Sequence, residues 1–413
     1  MYGLVSEFWF DDEFQIYLIG LKSFTTGTWP YYGPDIVYTQ TQISGALQGL
    51  LISSAFYIIK IPEAPILLLN LLSFGSLSFL AYYITKRVDT IPSWLTWIIV
   101  LTTPWAMVYS TRVLNISYAL VFSVFFFVAF FEALPLYKQA ILSKKTSFFL
   151  MGLTTTFIMQ LHLSWVLLIV FGGIAFTVQL KTKRSQLVIF TVLYLSGILL
   201  GALTIIPTWL YTTTPVETLD SNIVFNHSNW LNLPIILLRL LSFATNEIPY
   251  ILGTPSNRID IVTSQLWFIP VTITLLIIGF LQVGLLVISF FRNKSDKEWR
   301  YLKWFPVASA VLLYGMFFFS IKGPSSHTFY ILFPPIMLYS FYCYQWLIEK
   351  KPFALSILKI MAILGLFFHV GLGMYNYEHK SLYKDRQKIQ QALDKMDYHI
   401  LGRRRADDWG YGY

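Results

Sequence analysis

Apolar runs of about 17–25 residues, separated by short loops that hold the charges, recur along most of the chain. They predict ten membrane-spanning helices, at roughly 63–85, 92–108, 113–131, 146–162, 163–180, 186–206, 265–291, 301–321, 327–348 and 354–375. The expected fold class is therefore all-α, a polytopic integral membrane bundle. No internal repeat is evident, so the duplicated architecture of many transporters is not expected.

The loops orient the bundle. Fifteen basic residues fall on one side, among them Lys86, Arg87, Lys138, Lys144, Lys145, Lys181, Lys183, Arg184, Lys350 and Lys351. Six fall on the other: Lys22, Lys60, Arg112, Arg239, Arg258 and Lys322. The richer side is cytoplasmic by the positive-inside rule. Residues 1–62, the loop 207–264 and the tail after 376 then face outward. Within that long loop, residues 234–243 read as a short interfacial helix. In the tail, Leu382, Ile389, Leu393 and Met396 mark one face of a helix.

Residues 43–59 are apolar enough to span, yet crossing would put the preceding acids on the cytoplasmic side. They are read instead as a helix along the outer interface, with Pro62 and Pro65 punctuating the entry to the first span. This gives three regions: an extracytoplasmic loop 1–62 with two interfacial helices, a bundle 63–376 and a charged outer tail 377–413. An outward loop needs a helix to carry it across, and only ten residues precede Asp11 without forming a signal peptide. A further transmembrane helix is expected ahead of this sequence.

Composition agrees with the pattern. The 413 residues are 56% hydrophobic and 12% charged, against about 25% charged in soluble proteins. The net charge of +9 sits in short inter-span loops, so it does not form a nucleic-acid surface. A single cysteine, Cys343, inside an apolar run excludes a disulfide framework and a thiolate metal site. Ionisable residues within the spans are scarce, with Lys359 and His369 in the last one. This sparseness disfavours an ion or proton pathway.

Chemistry concentrates at the outer mouths. Asp11, Asp12 and Glu13 form a run of acids flanked by Phe8-Trp9-Phe10 and Phe14. Arg112 and Asn115, Gln160 and His162, and Lys322 and His327 occupy three outer turns. A carboxylate can serve as general base to an acceptor, while Arg, Lys and His stabilise a departing phosphate. Each has a plainer reading: a solvated acid run, a satisfied interfacial histidine, or lipid-phosphate anchors. The sequons at Asn115 and Asn226 are weak three-residue patterns.

The order Asp12-Glu13, Gly27 and Pro30, Gly33-Pro34, then Ile43-Ser44-Gly45-Ala46-Leu47 resembles the first outer loop of GT-C glycosyltransferases. These are enzymes like protein O-mannosyltransferases and the lipid A aminoarabinose transferase. Arg112 to Asn115, Gln160-Leu161-His162 and His327-Thr-Phe-Tyr before Phe333-Pro334-Pro335 extend the resemblance in order. It implies a GT-C-like bundle, a polyprenyl-phosphate-linked sugar donor and an inverting displacement at an outward-facing site in the cytoplasmic membrane. It also implies Asp12 as the principal acid, with Glu13 and Asp11 assisting. Arg112, Asn115, His162, Lys322 and His327 would hold the donor phosphate and sugar. The chain departs from the pattern at Gly45-Ala46, where Gly-Pro is usual, and at Ser117, where some members carry a second acid. No cofactor is fixed; a divalent cation is the one candidate, although hard cations want several oxygen ligands.

The expected function is thus a membrane glycosyltransferase acting on an acceptor lipid, glycan or protein. The alternatives are a lipid-linked-sugar flippase or transporter, a polysaccharide polymerase or ligase, and a non-catalytic scaffold for envelope enzymes.

Overall fold

The computed structural model describes residues 11–36, 41–211, 225–243, 245, 248, 255–293, 297–319, 323, 326–379 and 383–401. The side chains of Asp11, Asp12, Asp35, Ile36 and Thr41, and of a few other helix-end residues, are outside that description.

The described residues begin with helix α1 (Asp11–Thr26), a two-stranded hairpin β1 (Tyr32–Ile36) and β2 (Thr41–Ser44), and helix α2 (Leu47–Ile58). Next come α3 (Ala64–Thr85), α4 (Ser93–Thr102), α5 (Pro104–Thr111), α6 (Ser117–Ala133), α7 (Lys144–Met159), α8 (Trp165–Thr182), α9 (Leu187–Ala202) and α10 (Ile206–Tyr211). The second half holds α11 (Leu233–Leu241), α12 (Pro255–Ser264), α13 (Phe268–Arg292), α14 (Lys297–Leu302) and α15 (Trp304–Phe318). It ends with α16 (Ser326–Phe329), α17 (Phe333–Lys350), α18 (Ala354–His379) and α19 (Tyr383–Lys395). Apolar runs become helices because lipid offers the backbone no hydrogen-bond partner but itself.

Seven helical segments among the described residues are long and apolar enough to cross a membrane: Ala64–Thr85, Trp165–Thr182, Arg184–Ala202, Phe268–Arg292, Glu298–Phe318, His327–Lys350 and Ala354–Tyr375. The chain is a multi-pass helical membrane protein. The other three expected spans are shorter helices. Residues 92–108 are split into α4 and α5 because Pro104 lacks an amide and holds Thr103 extended, at φ −60° and ψ 136°. Residues 113–131 and 146–162 become α6 and α7, of 17 and 16 residues. Helix α6 is enclosed by protein: its Phe127 and Phe130 meet Phe171 edge-on at 5.1 and 5.4 Å, and Phe130 meets Phe305 at 5.3 Å. A helix wrapped in protein need not match the bilayer in length.

Helices α7 and α9 pack in close contact. A Cβ at Gly152 would lie 2.0 Å from the Tyr194 carbonyl, and one at Gly197 2.2 Å from that of Phe149. Small residues set this backbone approach, as between many membrane helices.

The end bearing Arg87, Lys144 and Lys183 is the basic end. There Arg87 donates to Glu132 Oε1 at 2.5 Å and to the Gln139 carbonyl at 2.8 Å, with its guanidinium 3.8 Å from the Tyr137 ring centroid. Glu132 Oε2 accepts from the Ile141 amide at 3.0 Å. The pair ties α3 to α6 and to the turn that follows it.

The opposite end gathers the rest. Helix α2 has 12 residues, about 18 Å at 1.5 Å each against a hydrocarbon thickness of about 30 Å. The hairpin before it lies beside Gln160, at the end of α7, and Tyr118 at the start of α6 donates to the Pro65 carbonyl just after it. Both flanks of α2 therefore lie at one end of the bundle. The tail returns to that end as well. Arg386 pairs with Glu63, Ile389 and Leu393 are buried, and Lys22 sits over the Tyr398 ring. The tail's apolar face stops at Leu393, because Met396 lies past the helix at φ 51° and is exposed; Leu382 is outside the described residues.

The long loop departs from expectation. Helix α11 does not lie along the surface; Ile236 and Leu240 are fully buried. Its start is held at the opposite end by the Asn229 amide on the Phe317 carbonyl, 2.7 Å away. Its last carbonyl, Leu241, accepts from Gln282 at 2.6 Å, halfway along α13. The apolar positions found a cleft within the bundle, and Gln282 met the helix end that lipid would have orphaned.

The Arg87–Glu132 side chains are 6% and 1% exposed, so removing one partner strands a buried charge. Glu132→Ala should cost about 3–5 kcal/mol, and the double change Arg87→Met with Glu132→Leu much less. Thermal unfolding in detergent measures both. An equal loss for the two would contradict the clamp.

Candidate functional site

The acid run occupies the first turn of α1, where negative charge is favoured by the helix dipole. Glu13 is buried, 3% exposed, one turn before Tyr17. The Tyr17 phenol is held well above its usual pKa, chiefly by burial, then by Tyr118, Glu13 and Glu63. Glu13 thus belongs to the seam between α1, α3 and α6, which fixes the turn that also carries Asp11 and Asp12.

The hairpin joins this turn to the histidines. Its strands pair antiparallel, Tyr32 opposite Ser44, with an irregularity between Tyr32 and Asp35. Pro34 falls in that gap, since proline cannot donate to a ladder. The Tyr31 carbonyl accepts from the Gly45 amide at 3.2 Å and from Thr208 Oγ1 at 2.6 Å. Gly45 has φ +121°, and a Cβ there would meet Gln160 Cγ at 2.5 Å. Glycine is required here for both reasons.

Gln160, fully buried, is the bolt. Its amide donates to the Gly201 carbonyl at 3.1 Å, and its Oε1 accepts from Thr204 at 2.8 Å. One side chain therefore links the end of α7 to the end of α9 and walls the hairpin.

Two residues on, His162 Nδ1 accepts from the Ser164 amide at 3.1 Å and lies 2.7 Å from its hydroxyl. An amide can only donate, so the ring proton of neutral His162 is on Nε2. Ser164 precedes α8 but does not cap it; its hydroxyl turns back to the imidazole. The His162 and His327 rings meet edge-on, 6.2 Å between centroids. Burial, and then His327, push the His162 pKa down to about 3. At neutral pH it is an uncharged N–H donor, suited to a phosphate oxygen.

Arg112 and Asn115 sit half-buried in the turn between α5 and α6. The Arg112 carbonyl shapes that turn by accepting from Ser117 Oγ at 2.5 Å and from the Leu114 amide at 3.0 Å. Ser117 is a turn former. Beneath lies an aromatic floor. Tyr330 is 4.6 Å from Tyr109 and 5.6 Å from Trp105, and its hydroxyl donates to the Ala106 carbonyl at 3.3 Å. This floor connects the Arg112 turn to the segment bearing His327.

The structure thus joins His162 to His327 directly, and sets Glu13 in a separate seam at the same end. Lys322 and the side chains of Asp11 and Asp12 lie outside the described residues. Among those described, no three His, Cys, Asp or Glu side chains gather as a metal site. Sequence reading missed Ser164 and the hairpin. A His-x-Ser triplet just before an apolar run was the available signal for the first.

With its folded pKa below the unfolded value of about 6.5, His162 leaves stability intact above pH 6.5 and erodes it as pH falls toward 3. The slope is at most about 1.4 kcal/mol per pH unit. His162→Gln should flatten the loss between pH 6.5 and 4 in thermal unfolding; an unchanged pH profile would contradict the burial of this ring.

No family model matches the chain, and neither a curated protein nor a solved structure matches it.

Proposed function

We propose that this protein is a membrane glycosyltransferase that moves a sugar from a polyprenyl-phosphate-linked donor to an acceptor on the outer face of the cytoplasmic membrane. The observation that carries the reading is the assembly at one bundle end of the acid-bearing turn of α1, the Arg112–Asn115 turn and the His162–His327 pair. In this reading the end opposite the basic loops faces outward, α2 lies along the interface, and the bundle is GT-C-like.

The Asp12 carboxylate takes the proton of an acceptor hydroxyl as that oxygen bonds to the sugar's anomeric carbon. The bond from that carbon to the phosphate oxygen breaks, and its electron pair leaves with the polyprenyl phosphate. Arg112, Lys322, His327 and the Nε2–H of His162 stabilise the departing anion, and Asn115 binds the sugar or phosphate. Asp11 assists, while Glu13, held beside Tyr17 and Tyr118, positions the turn.

One feature favours a lipid-linked-sugar transporter as the second reading: α4 and α5 form a broken helix, and α11 ends halfway through the bundle. Discontinuous helices line the substrate paths of many transporters. Sugar transfer in detergent, with no second compartment, separates the two.

Asp12→Asn should lower transfer from a polyprenyl-phosphate sugar by about 100-fold or more, the usual weight of a general base, with expression and thermal stability unchanged. Full activity in that variant would exclude the assigned role.

A further inference from the structure

Midway along the bundle, where α4 breaks, is a cavity of about 40 Å³. That holds one small ion or one to three waters. Its walls come from the end of α4, the residues after α11, and the middles of α13, α17 and α18. Its polar lining is Thr102, Thr103, Thr245, Gln282 and Tyr344, with no charged side chain among the described residues around it.

The hydrogen bonds of these groups run one way. Thr102 donates its hydroxyl proton to the Ile98 carbonyl, Thr245 to that of Ser242, and Tyr344 to Gln282 Oε1 at 2.8 Å. Gln282 in turn donates to the Leu241 carbonyl. The Thr102, Thr245 and Tyr344 hydroxyls have thus given up their protons and keep only lone pairs. The Thr103 hydroxyl is buried in the wall, its residue 9% exposed, and has no hydrogen-bond partner. Gly279 lets Thr245 pack this close, since a Cβ there would lie 2.7 Å from Thr245 Cβ.

Two helix C-termini, those of α4 and α11, also end here. Phe243, just past α11, turns the chain at φ 51° and lines the cavity. Helix C-termini carry partial negative charge, and with unwound backbone they hold sodium in discontinuous membrane helices. His369 Nε2 already donates to the Thr102 carbonyl at 2.7 Å and Gln282 to that of Leu241, so the lone pairs left for an electropositive occupant are those of the hydroxyls and of Gln282 Oε1. The neutral ligand set selects a monovalent ion, since calcium and magnesium sites draw on carboxylates.

We propose that this cavity is a binding site for a small monovalent cation of the sodium class, held by the oxygens of Thr103, Thr245, Thr102, Gln282 and Tyr344. The ion would brace the break between α4 and α5 against the end of α11. The site is separate from the acidic turn and the histidine pair, so it stands or falls independently of the transferase reading.

The test uses the purified full-length protein in detergent, with thermal unfolding followed as sodium chloride replaces choline chloride at constant ionic strength. A saturable rise in Tm with sodium is expected. Thr103→Val and Thr245→Val should each shift its midpoint upward by about 10-fold or more, the scale on which a disturbed metal site loses affinity. Thr103→Val, whose hydroxyl has no partner to lose, should leave Tm in choline unchanged, Thr245→Val should lower it through the lost Ser242 bond, and Thr103→Ser should keep the wild-type response. Equal Tm in the two salts, or valine variants that respond like wild type, would assign the cavity to water alone. Should a variant fail to fold, equilibrium binding of radiolabelled sodium to the wild-type protein decides. About one ion per chain supports the site, and none overturns it.

Discussion

Gln160 is the interaction on which the opposite end of the bundle depends. It ends α7, and with its side chain fully buried its two polar atoms reach Gly201 and Thr204 beside α9. The same side chain is the surface against which Gly45 closes. A buried amide with its polar atoms met is expensive to disturb, because either atom left unpaired bears the full desolvation cost. The hairpin is thereby held against the turn that carries His162, and through α1 so is the acid run. The histidine pair, the Arg112 turn and the aromatic floor complete one end of the molecule around this point.

Much of the architecture was legible in the sequence. Long apolar runs such as 268–292 and 354–375 need no partner to declare themselves, since lipid dictates helix by backbone satisfaction alone. The interrupted spans were harder. Pro104 was visible, but the runs on either side of it are as apolar as a continuous span, so hydropathy alone does not register the break. Helix α11 was legible as a helix and not in its depth: Ile236 and Leu240 suit an interface as well as a cleft. What decided was Gln282, a lone amide on a distant span, and such pairings leave no local signature.

The candidate site divides in the same way. His162 and His327 are far apart in sequence, and their ring contact depends on how two turns converge at one end of the bundle. Glu13 reads like its neighbours Asp11 and Asp12, yet helical spacing turns it toward Tyr17 and into the protein. Gln160 read as one more polar group at an outer mouth, because its role depends on Gly201 and Gly45. Local chemistry was visible in the sequence. Which groups face a substrate and which brace the scaffold required the fold.

The central claim is that the acid run, the hairpin and the His162 turn share the outward side, with α2 lying across the bundle end. Single cysteines replacing Thr28, Ser44 and Leu163, all exposed, in a Cys343→Ala background test it most directly, with Lys183→Cys as the basic-end control. A membrane-impermeant maleimide applied to intact cells should label the first three and spare the fourth. Labelling at position 163 with protection at 28 and 44 would place the acids across the membrane from the histidines and contradict the account.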